Sequence, residues 1–149
     1  MLQEQELKTF VEGTTNYFEV AAQQPASIGS PYLVTKGMPG VHDYTGVINI
    51  TGKREGVVYF TAPRAMLTVL LMKMQETDFS HETMKDLVGE VANTISGNAR
   101  RDFGRNFVIS TPTICDRTNA STAAATTGRS FVIPINWRSY AANVVVCLQ

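Results

Sequence analysis

The stretch DLVGEVANTISGNA, residues 86–99, places its polar and apolar residues on two sides of a helix. Each residue of an α-helix advances by about 100° around the axis, so four polar or small residues fall on one narrow stripe: Asp86, Glu90, Asn93 and Gly97. The opposite side has the spacing of a stripe that faces a core: Met84, Leu87, Val88, Val91 and Ile95. The spacing predicts an amphipathic helix with an ordered polar surface.

This predicted helix contains many weak helix formers, which a helix used only for packing has no reason to collect: Gly89, Asn93, Thr94, Ser96, Gly97 and Asn98. Each of the two glycines costs roughly 0.8–1 kcal/mol relative to alanine. An ordinary solvated face explains an acidic residue at positions 86 and 90, but it does not explain an asparagine or glycines within the helix. The stripe therefore indicates a functional surface.

Length and composition are those of one globular domain. The chain has 149 residues, of which 44% are hydrophobic and 17% are charged, so it is long enough to bury a substantial core. Thirteen basic residues balance thirteen acidic residues. A net charge of zero argues against a protein that binds nucleic acid through a basic surface.

Several features of the sequence favour a cytoplasmic protein. The first ten residues, MLQEQELKTF, lack the basic and then apolar order of a signal peptide. The longest apolar run, residues 69–72, is too short to span a membrane. Cys115 and Cys147 have neither the spacing of a metal site nor that of a redox motif, so we expect free thiols in a reducing compartment.

Hydrophobic spacing and turn residues predict the other elements. A first amphipathic helix is expected over roughly residues 4–23, before a break at residues 29–31 (GSP). Six strands are expected: 32–36, 45–51, 56–61, 107–115, 131–137 and 143–148. The segment 52–55 (GKRE) predicts a hairpin turn, and residues 117–127, rich in Ala, Thr and Ser, predict a mobile loop.

Two further helices have recognisable ends. A short helix is expected to end near Lys73, with Thr61 as its N-cap and Pro63 in its first turn. The long helix that carries the polar stripe is expected to start after Ser80 and to end at Gly104. Charged residues near its two ends suit the helix dipole: Glu82, Arg100 and Arg101.

The order of elements repeats along the chain. A helix and three strands occur twice, joined by the short helix, and the strand pair GVINIT and GVVYFT is echoed by FVIPIN and NVVVCL. This predicts two pseudo-repeats, about residues 1–61 and 80–149, within a single domain. Strands joined by short turns pair antiparallel. We therefore expect an α+β fold in which amphipathic helices pack on a mainly antiparallel sheet.

Other kinds of site have little support. His42 and His81 have no plausible ligand partner in the sequence, so neither a metal site nor a hydrolase triad is expected. Asp86 and Glu90 would both be exposed, without a desolvating neighbour to separate their pKa values, which disfavours an acid–base pair. The large aromatic residues are more typical of a core than of a ligand platform: Phe10, Tyr17, Phe18 and Trp137.

The polar stripe of the long helix resembles a known motif, Asp-x3-Glu-x2-Asn followed by Gly-Asn-Ala: Asp86, Glu90, Asn93, Gly97, Asn98 and Ala99. It is similar to the signature of the CheC/CheX phosphatases of bacterial chemotaxis, and of CheX in particular. The chain length, the first helix and the segments ISTPTIC, FVIPINW and NVVVCL support the resemblance. In the first helix Glu12 and Asn16 are four residues apart, so we expect one active surface per chain.

The resemblance implies a protein substrate, a CheY-type receiver domain phosphorylated on aspartate, with Glu90 and Asn93 as the catalytic residues. An asparagine amide is neutral, so Asn93 can hold a water but cannot act as a strong base. Glu90 would pair with a lysine of the receiver. The other motif residues would support the site: Asp86, Gly97 and Asn98. Small residues would keep the surface low enough to enter a shallow site: Gly89, Gly97 and Ala99.

The resemblance also implies which partners and cofactors to expect. The chain would hold no cofactor or metal of its own, and Mg²⁺ would belong to the receiver. We expect a homodimer that acts without nucleic acid or membrane. Two alternatives remain open: a non-catalytic CheC-like adaptor that binds a receiver or a flagellar-switch component, and a structural or small-molecule domain outside signalling.

Overall fold

The computed structural model describes residues 2–35, 41–116 and 129–149. These residues form three helices: α1 (Glu4–Val20), α2 (Arg64–Lys73) and α3 (His81–Phe103). They also form eight strands: β1 (Ser27–Ile28), β2 (Tyr32–Val34), β3 (Tyr44–Gly52), β4 (Gly56–Ala62), β5 (Phe107–Ile109), β6 (Thr113–Asp116), β7 (Ser130–Trp137) and β8 (Tyr140–Leu148). The predicted loop 117–127 and the end of the predicted strand 32–36 lie outside the described residues.

The strands form one antiparallel sheet, which confirms the predicted α+β class. Its central order is β7-β8-β4-β3. The short strands β1 and β2 pair with β7 at one side, and β5 and β6 pair with β3 at the other. The outer strands of each half of the chain therefore pair with a strand of the other half. This arrangement is symmetric about the β4–β8 pair, while the duplication of the sequence stays a prediction.

The predicted outer strands differ from the observed ones. The expected strand 107–115 is two strands, β5 and β6, separated at residues 110–112. Pro112 has no N–H to offer a ladder, and the Ser110 hydroxyl accepts the backbone N–H of Asn49 at 2.9 Å. The two-residue strand β1 was missed because it is too short to show alternation. The other strands lie where the sequence predicts them, within a few residues.

The start of α2 also differs from the prediction. Thr61 is not an N-cap, since it lies in β4, where its buried hydroxyl accepts from the backbone N–H of His42 at 2.8 Å and contacts the Thr45 hydroxyl at 2.9 Å. Pro63 itself occupies the N-cap position. The Asp43 carboxylate, from outside the helix, accepts the backbone N–H of Arg64 at 2.8 Å. The N–H at the start of α2 is thus satisfied by Asp43, a side chain distant in the sequence, instead of by the predicted local cap Thr61.

Both faces of the sheet are buried. The larger core lies between the sheet and the helices and contains the predicted aromatic residues, which are confirmed as core: Phe10, Tyr17, Phe18 and Trp137. The opposite face carries a second buried cluster: Val47, Tyr59, Cys115, Val132 and Val145. Cys115 and Cys147 are buried free thiols. Among the described residues, no helix has the length and hydrophobicity needed to cross a bilayer.

Candidate functional site

Helix α3 carries the predicted polar stripe, and its two ends confirm the sequence prediction. Ser80 is the N-cap, and its hydroxyl accepts the backbone N–H of Thr83 at 3.3 Å. Gly104 ends the helix with a φ of 91°, a conformation that favours glycine. The helix spans 23 residues. Its apolar side packs on the sheet, so the polar stripe points away from it.

Helix and sheet approach each other closely at two glycines. A Cβ atom on Gly46 of β3 would lie 2.4 Å from the Val88 carbonyl oxygen, and one on Gly89 would lie 2.5 Å from Cδ1 of Ile114. Gly89 and Ala99 are both buried. The expectation that these two residues keep the docking surface low is therefore wrong, because both face the interior and serve the packing of α3.

The remaining stripe is open to solvent. Asp86, Glu90 and Asn93 are exposed, and their side chains make no hydrogen bond or ion pair with the described part of the chain. A Cβ atom on Gly97 would meet no atom of the described residues within 4 Å, apart from the backbone of α3 itself. The four residues therefore form one unobstructed surface, which we call the α3 stripe. Its carboxylates and amide are available to a partner.

Asn98 does not lie on the α3 stripe. It is turned by about 100° from Gly97 and lies against α1, where a Cβ atom on Gly13 would be 3.7 Å from Asn98 Cβ. Its side-chain oxygen accepts a hydrogen bond from Arg101 Nη2 at 2.7 Å. Asn98 therefore contributes to the packing of α3 against α1 and is separate from the four residues of the α3 stripe.

Helix α1 borders the α3 stripe and runs antiparallel to α3. The Thr9 hydroxyl donates to the Asp102 carboxylate at 3.0 Å, while Gly13, one turn later, lies against Ile95 and Asn98. A cleft of about 270 Å³ lies between the helices. Polar side chains and Gly13 line it: Thr9, Glu12, Gly13, Asn16, Asn98, Arg101 and Asp102.

Tyr17, one further turn along α1, lies near Glu90. Only 3% of Tyr17 is exposed. Burial raises the pKa of its hydroxyl above the ordinary value, and the negative charge of Glu90 raises it further. Sequence reasoning placed Tyr17 correctly in the core but missed its relation to Glu90, since that relation depends on how α1 and α3 are aligned. A tyrosine among phenylalanines was the one available signal, because a buried hydroxyl needs a partner.

A second polar group lies at the start of α3. The Tyr44 hydroxyl and His81 Nδ1 are 2.6 Å apart, and His81 Nε2 lies 3.8 Å from an Asp116 carboxylate oxygen. His81 therefore has two polar neighbours that its place in the sequence does not indicate. Within the described ranges there is no group of three or more histidine, cysteine or acidic side chains that could hold a metal ion.

Comparison with known proteins places these features in a family. The family described as "Chemotaxis phosphatase CheX" matches residues 44–136, which include the whole of α3. No curated protein sequence matches the chain. Solved structures match over nearly the full length, and they show the same fold.

Three of these structures illustrate the likeness. A CheC-like superfamily protein from Shewanella sp. PV-4 is 24% identical with a TM-score of 0.85, and the match covers 99% of each chain. The chemotaxis protein CheX from Desulfovibrio desulfuricans is 26% identical with a TM-score of 0.78, covering 97% of this chain and 99% of that one. CheX of Borrelia burgdorferi, solved in a complex with CheY, BeF3 and Mg²⁺, is 17% identical with a TM-score of 0.72, covering 97% of each chain.

Proposed function

Because this chain belongs to the family of the chemotaxis phosphatase CheX, we propose that it removes the phosphoryl group from the aspartyl phosphate of a CheY-type receiver domain. The observation that carries the proposal is the α3 stripe itself. A carboxylate at Glu90 and an amide at Asn93 lie exposed on one face of a helix, and among the described residues no side chain forms a hydrogen bond or ion pair with either.

Asn93 is proposed to position the attacking water. Its side-chain oxygen accepts a hydrogen bond from the water, which aligns the water oxygen with phosphorus. The water oxygen bonds to phosphorus as the bond to the aspartate oxygen breaks, and the aspartate leaves as a carboxylate. Phosphoryl transfer through a loose transition state needs alignment and neutralised charge rather than a strong base, so a neutral amide suffices.

Glu90 is proposed to dock the receiver by pairing with a lysine in its active site. An ion pair that also forms a hydrogen bond is stronger than a neutral one and fixes the geometry of both partners. Asp86 lies one turn before Glu90 on the same stripe and extends the acidic edge. Gly97 leaves the other end of the stripe without a side chain, so the receiver can approach the helix closely.

Mg²⁺ is proposed to belong to the receiver. It would neutralise charge on the phosphoryl group, while this chain supplies the water-positioning amide and the docking carboxylate. The complex from Borrelia burgdorferi, which contains CheX, CheY, BeF3 and Mg²⁺, supports such a pairing of partners. We further propose that the protein is cytoplasmic and acts as a homodimer. The outermost strand β2 has exposed apolar side chains, Tyr32 and Leu33, that a second copy could cover.

A phosphate-release assay tests the proposal. The purified protein is mixed with a panel of CheY-type receivers phosphorylated in the presence of Mg²⁺, and inorganic phosphate is followed over time. We expect faster release from at least one receiver than from that receiver alone. Binding without faster release would identify a non-catalytic adaptor and contradict the proposed phosphatase. Light scattering at micromolar concentration tests the dimer, which the mass of one chain would exclude.

A further inference from the structure

The hydroxyl of Tyr17 is a buried donor that has no hydrogen-bond partner among the described residues. Leaving such a group without a partner destabilises the folded state, so an unpaired hydroxyl in a core usually has a reason. A phenylalanine would fill the same space without this cost. The position therefore points to a use for the oxygen atom rather than for the ring alone.

The alignment of α1 and α3 brings Tyr17 near Glu90, which carries the docking carboxylate. Thr9 contacts Asp102, and Gly13 contacts the turn at Ile95. Each turn along α1 therefore corresponds to about one turn back along α3, because the two helices are antiparallel and rise equally per turn. Tyr17, one turn beyond Gly13, falls at about the level of residues 91–94, and Glu90 lies within about one turn of that level. The influence of the Glu90 charge on Tyr17 agrees with this placement.

The two side chains differ in their freedom to move. Tyr17 is held in the core, where its ring packs edge-on against Phe18 with centroids 5.4 Å apart. Glu90 is exposed, and its side chain has three rotatable bonds, so rotation can bring a carboxylate oxygen toward the fixed hydroxyl. A carboxylate has two oxygens, so it can accept from Tyr17 through one of them and from an ammonium group through the other.

We propose that Tyr17 is a positioning residue, whose buried hydroxyl donates to Glu90 and holds its carboxylate in the orientation that receives the receiver's lysine. The inference rests on the proposed function and adds a second helix to its site. The raised pKa of Tyr17 keeps its hydroxyl protonated, and so able to donate, at neutral pH. The bond fixes a flexible side chain before docking, so less conformational freedom is lost on binding.

A double-mutant cycle tests this role. Tyr17→Phe is made in the parent protein and in Glu90→Ala, and kcat and KM for phosphate release are measured with a CheY-type receiver that the parent dephosphorylates. In the parent we expect Tyr17→Phe to raise KM roughly tenfold, the scale of a lost hydrogen bond to a charged group, with little change in kcat. In Glu90→Ala, Tyr17→Phe should have no further effect.

A matched control separates positioning from packing. Tyr59→Phe removes the same atom from a buried tyrosine on the opposite face of the sheet, and it should leave KM unchanged. Thermal unfolding of Tyr17→Phe should show a cooperative transition with a melting temperature close to that of the parent, since the aromatic ring that fills the core is kept and only one hydroxyl is removed.

Other outcomes overturn the inference or the proposed function separately. If the parent dephosphorylates a receiver and Tyr17→Phe leaves KM unchanged, or raises it equally in both backgrounds, Tyr17 does not act through Glu90. If the parent binds an activated receiver without releasing phosphate, the phosphatase proposal fails, and the same cycle is then measured as dissociation constants. If no receiver is bound or dephosphorylated, both proposals are wrong.

Discussion

The backbones of Gly46 in β3 and Gly89 in α3 approach each other closely where the helix crosses the sheet. A Cβ atom on Gly46 would be 2.9 Å from the Gly89 Cα. A side chain larger than hydrogen on Gly46 would push the helix backbone outward. The pair therefore fixes the height of α3 above β3. Because α3 carries the candidate site, this contact also fixes where the α3 stripe lies relative to α1.

Alanine at the two glycines should have unequal effects on stability. In Gly46→Ala the new methyl group meets backbone atoms of α3, which cannot yield locally, so unfolding free energy should fall by about 1–3 kcal/mol or more. In Gly89→Ala it meets the end of the flexible Ile114 side chain, and better helix propensity offsets part of the strain. Urea unfolding of both variants measures the two losses in unfolding free energy and shows which is larger. Equal losses would contradict this account of the crossing.

Gly97→Ala should stabilise the protein and impair its proposed activity. Apart from the backbone of α3 itself, no atom of the described residues lies within 4 Å of the new methyl group, so the helix gains about 0.8–1 kcal/mol in propensity. The same methyl group stands on the α3 stripe, where it would keep a receiver from close approach. Unfolding free energy and KM for phosphate release should therefore both rise. A stable variant with unchanged KM would show that receivers do not contact this position.

Asn93→Ala should lower kcat with little change in binding, if the amide orients water only in the transition state. The loss of one such contact is worth on the order of 2–4 kcal/mol, or roughly 30- to 1000-fold in rate. Stability should stay the same or rise, because Asn93 is exposed and alanine favours helices. Asn136→Ala, at an exposed asparagine of β7, is the control. Full turnover by Asn93→Ala would refute the assignment.

Glu90→Ala should weaken receiver binding and lower the rate of phosphate release. The effect on binding should shrink as ionic strength rises, because salt screens an exposed ion pair. Binding of a receiver activated with beryllium fluoride and Mg²⁺ is measured at several salt concentrations. Glu19→Ala, at an exposed glutamate of α1, is the matched control and should behave like the parent. An effect of Glu90→Ala that does not depend on salt would argue against the proposed pairing with lysine.

Glu6 should make stability depend on pH in the acid range. Burial by itself raises the pKa of its carboxyl, but hydrogen bonds from Arg54 and from the backbone of Gln3 outweigh burial and lower it. A carboxyl with a lowered pKa in the folded state stabilises the protein above its unfolded pKa of about 4.3, and this contribution is lost as pH falls through the folded value. The parent should therefore lose stability below about pH 4.3.

The variant Glu6→Gln isolates this contribution. It should destabilise the protein at pH 7 by roughly 1.5–3 kcal/mol, the scale of a hydrogen bond to a charged group, since Arg54 is left without its carboxylate partner. The difference between parent and variant should narrow as the pH is lowered below about 4. Thermal melts at several pH values give both quantities. A difference that stays constant between pH 7 and pH 3 would show that Glu6 has no such role.

The sequence predicted the helices and central strands because their patterns are local. The spacing of Met84, Val88 and Ile95 is sufficient to orient α3, and Ser80 and Gly104 mark its ends. The pairing of β1 and β2 with β7 could not be predicted, since their partners lie about 100 residues away and such short strands carry no period.

In the candidate site, too, local features were predicted from the sequence and long-range contacts were not. Helical spacing alone placed Asp86, Glu90 and Asn93 on one exposed face, as the structure has them. Gly89 was misassigned because a glycine needed for close packing and a glycine needed for docking look alike in a sequence. The role of Tyr17 depends on a contact between two helices, and no local pattern records it. The catalytic roles of Glu90 and Asn93 stay predictions.

The exchange of outer strands between the two halves has a consequence for folding. Strands β1 and β2 of the first half pair with β7 of the second half, and β5 and β6 of the second half pair with β3 of the first. Neither half therefore contains all the strands needed to form its side of the sheet. Contacts so distant in sequence form slowly and tend to form together. A fragment of either half should remain unfolded alone and gain structure only when mixed with the other. The α3 stripe would then form only when both halves of the chain have come together.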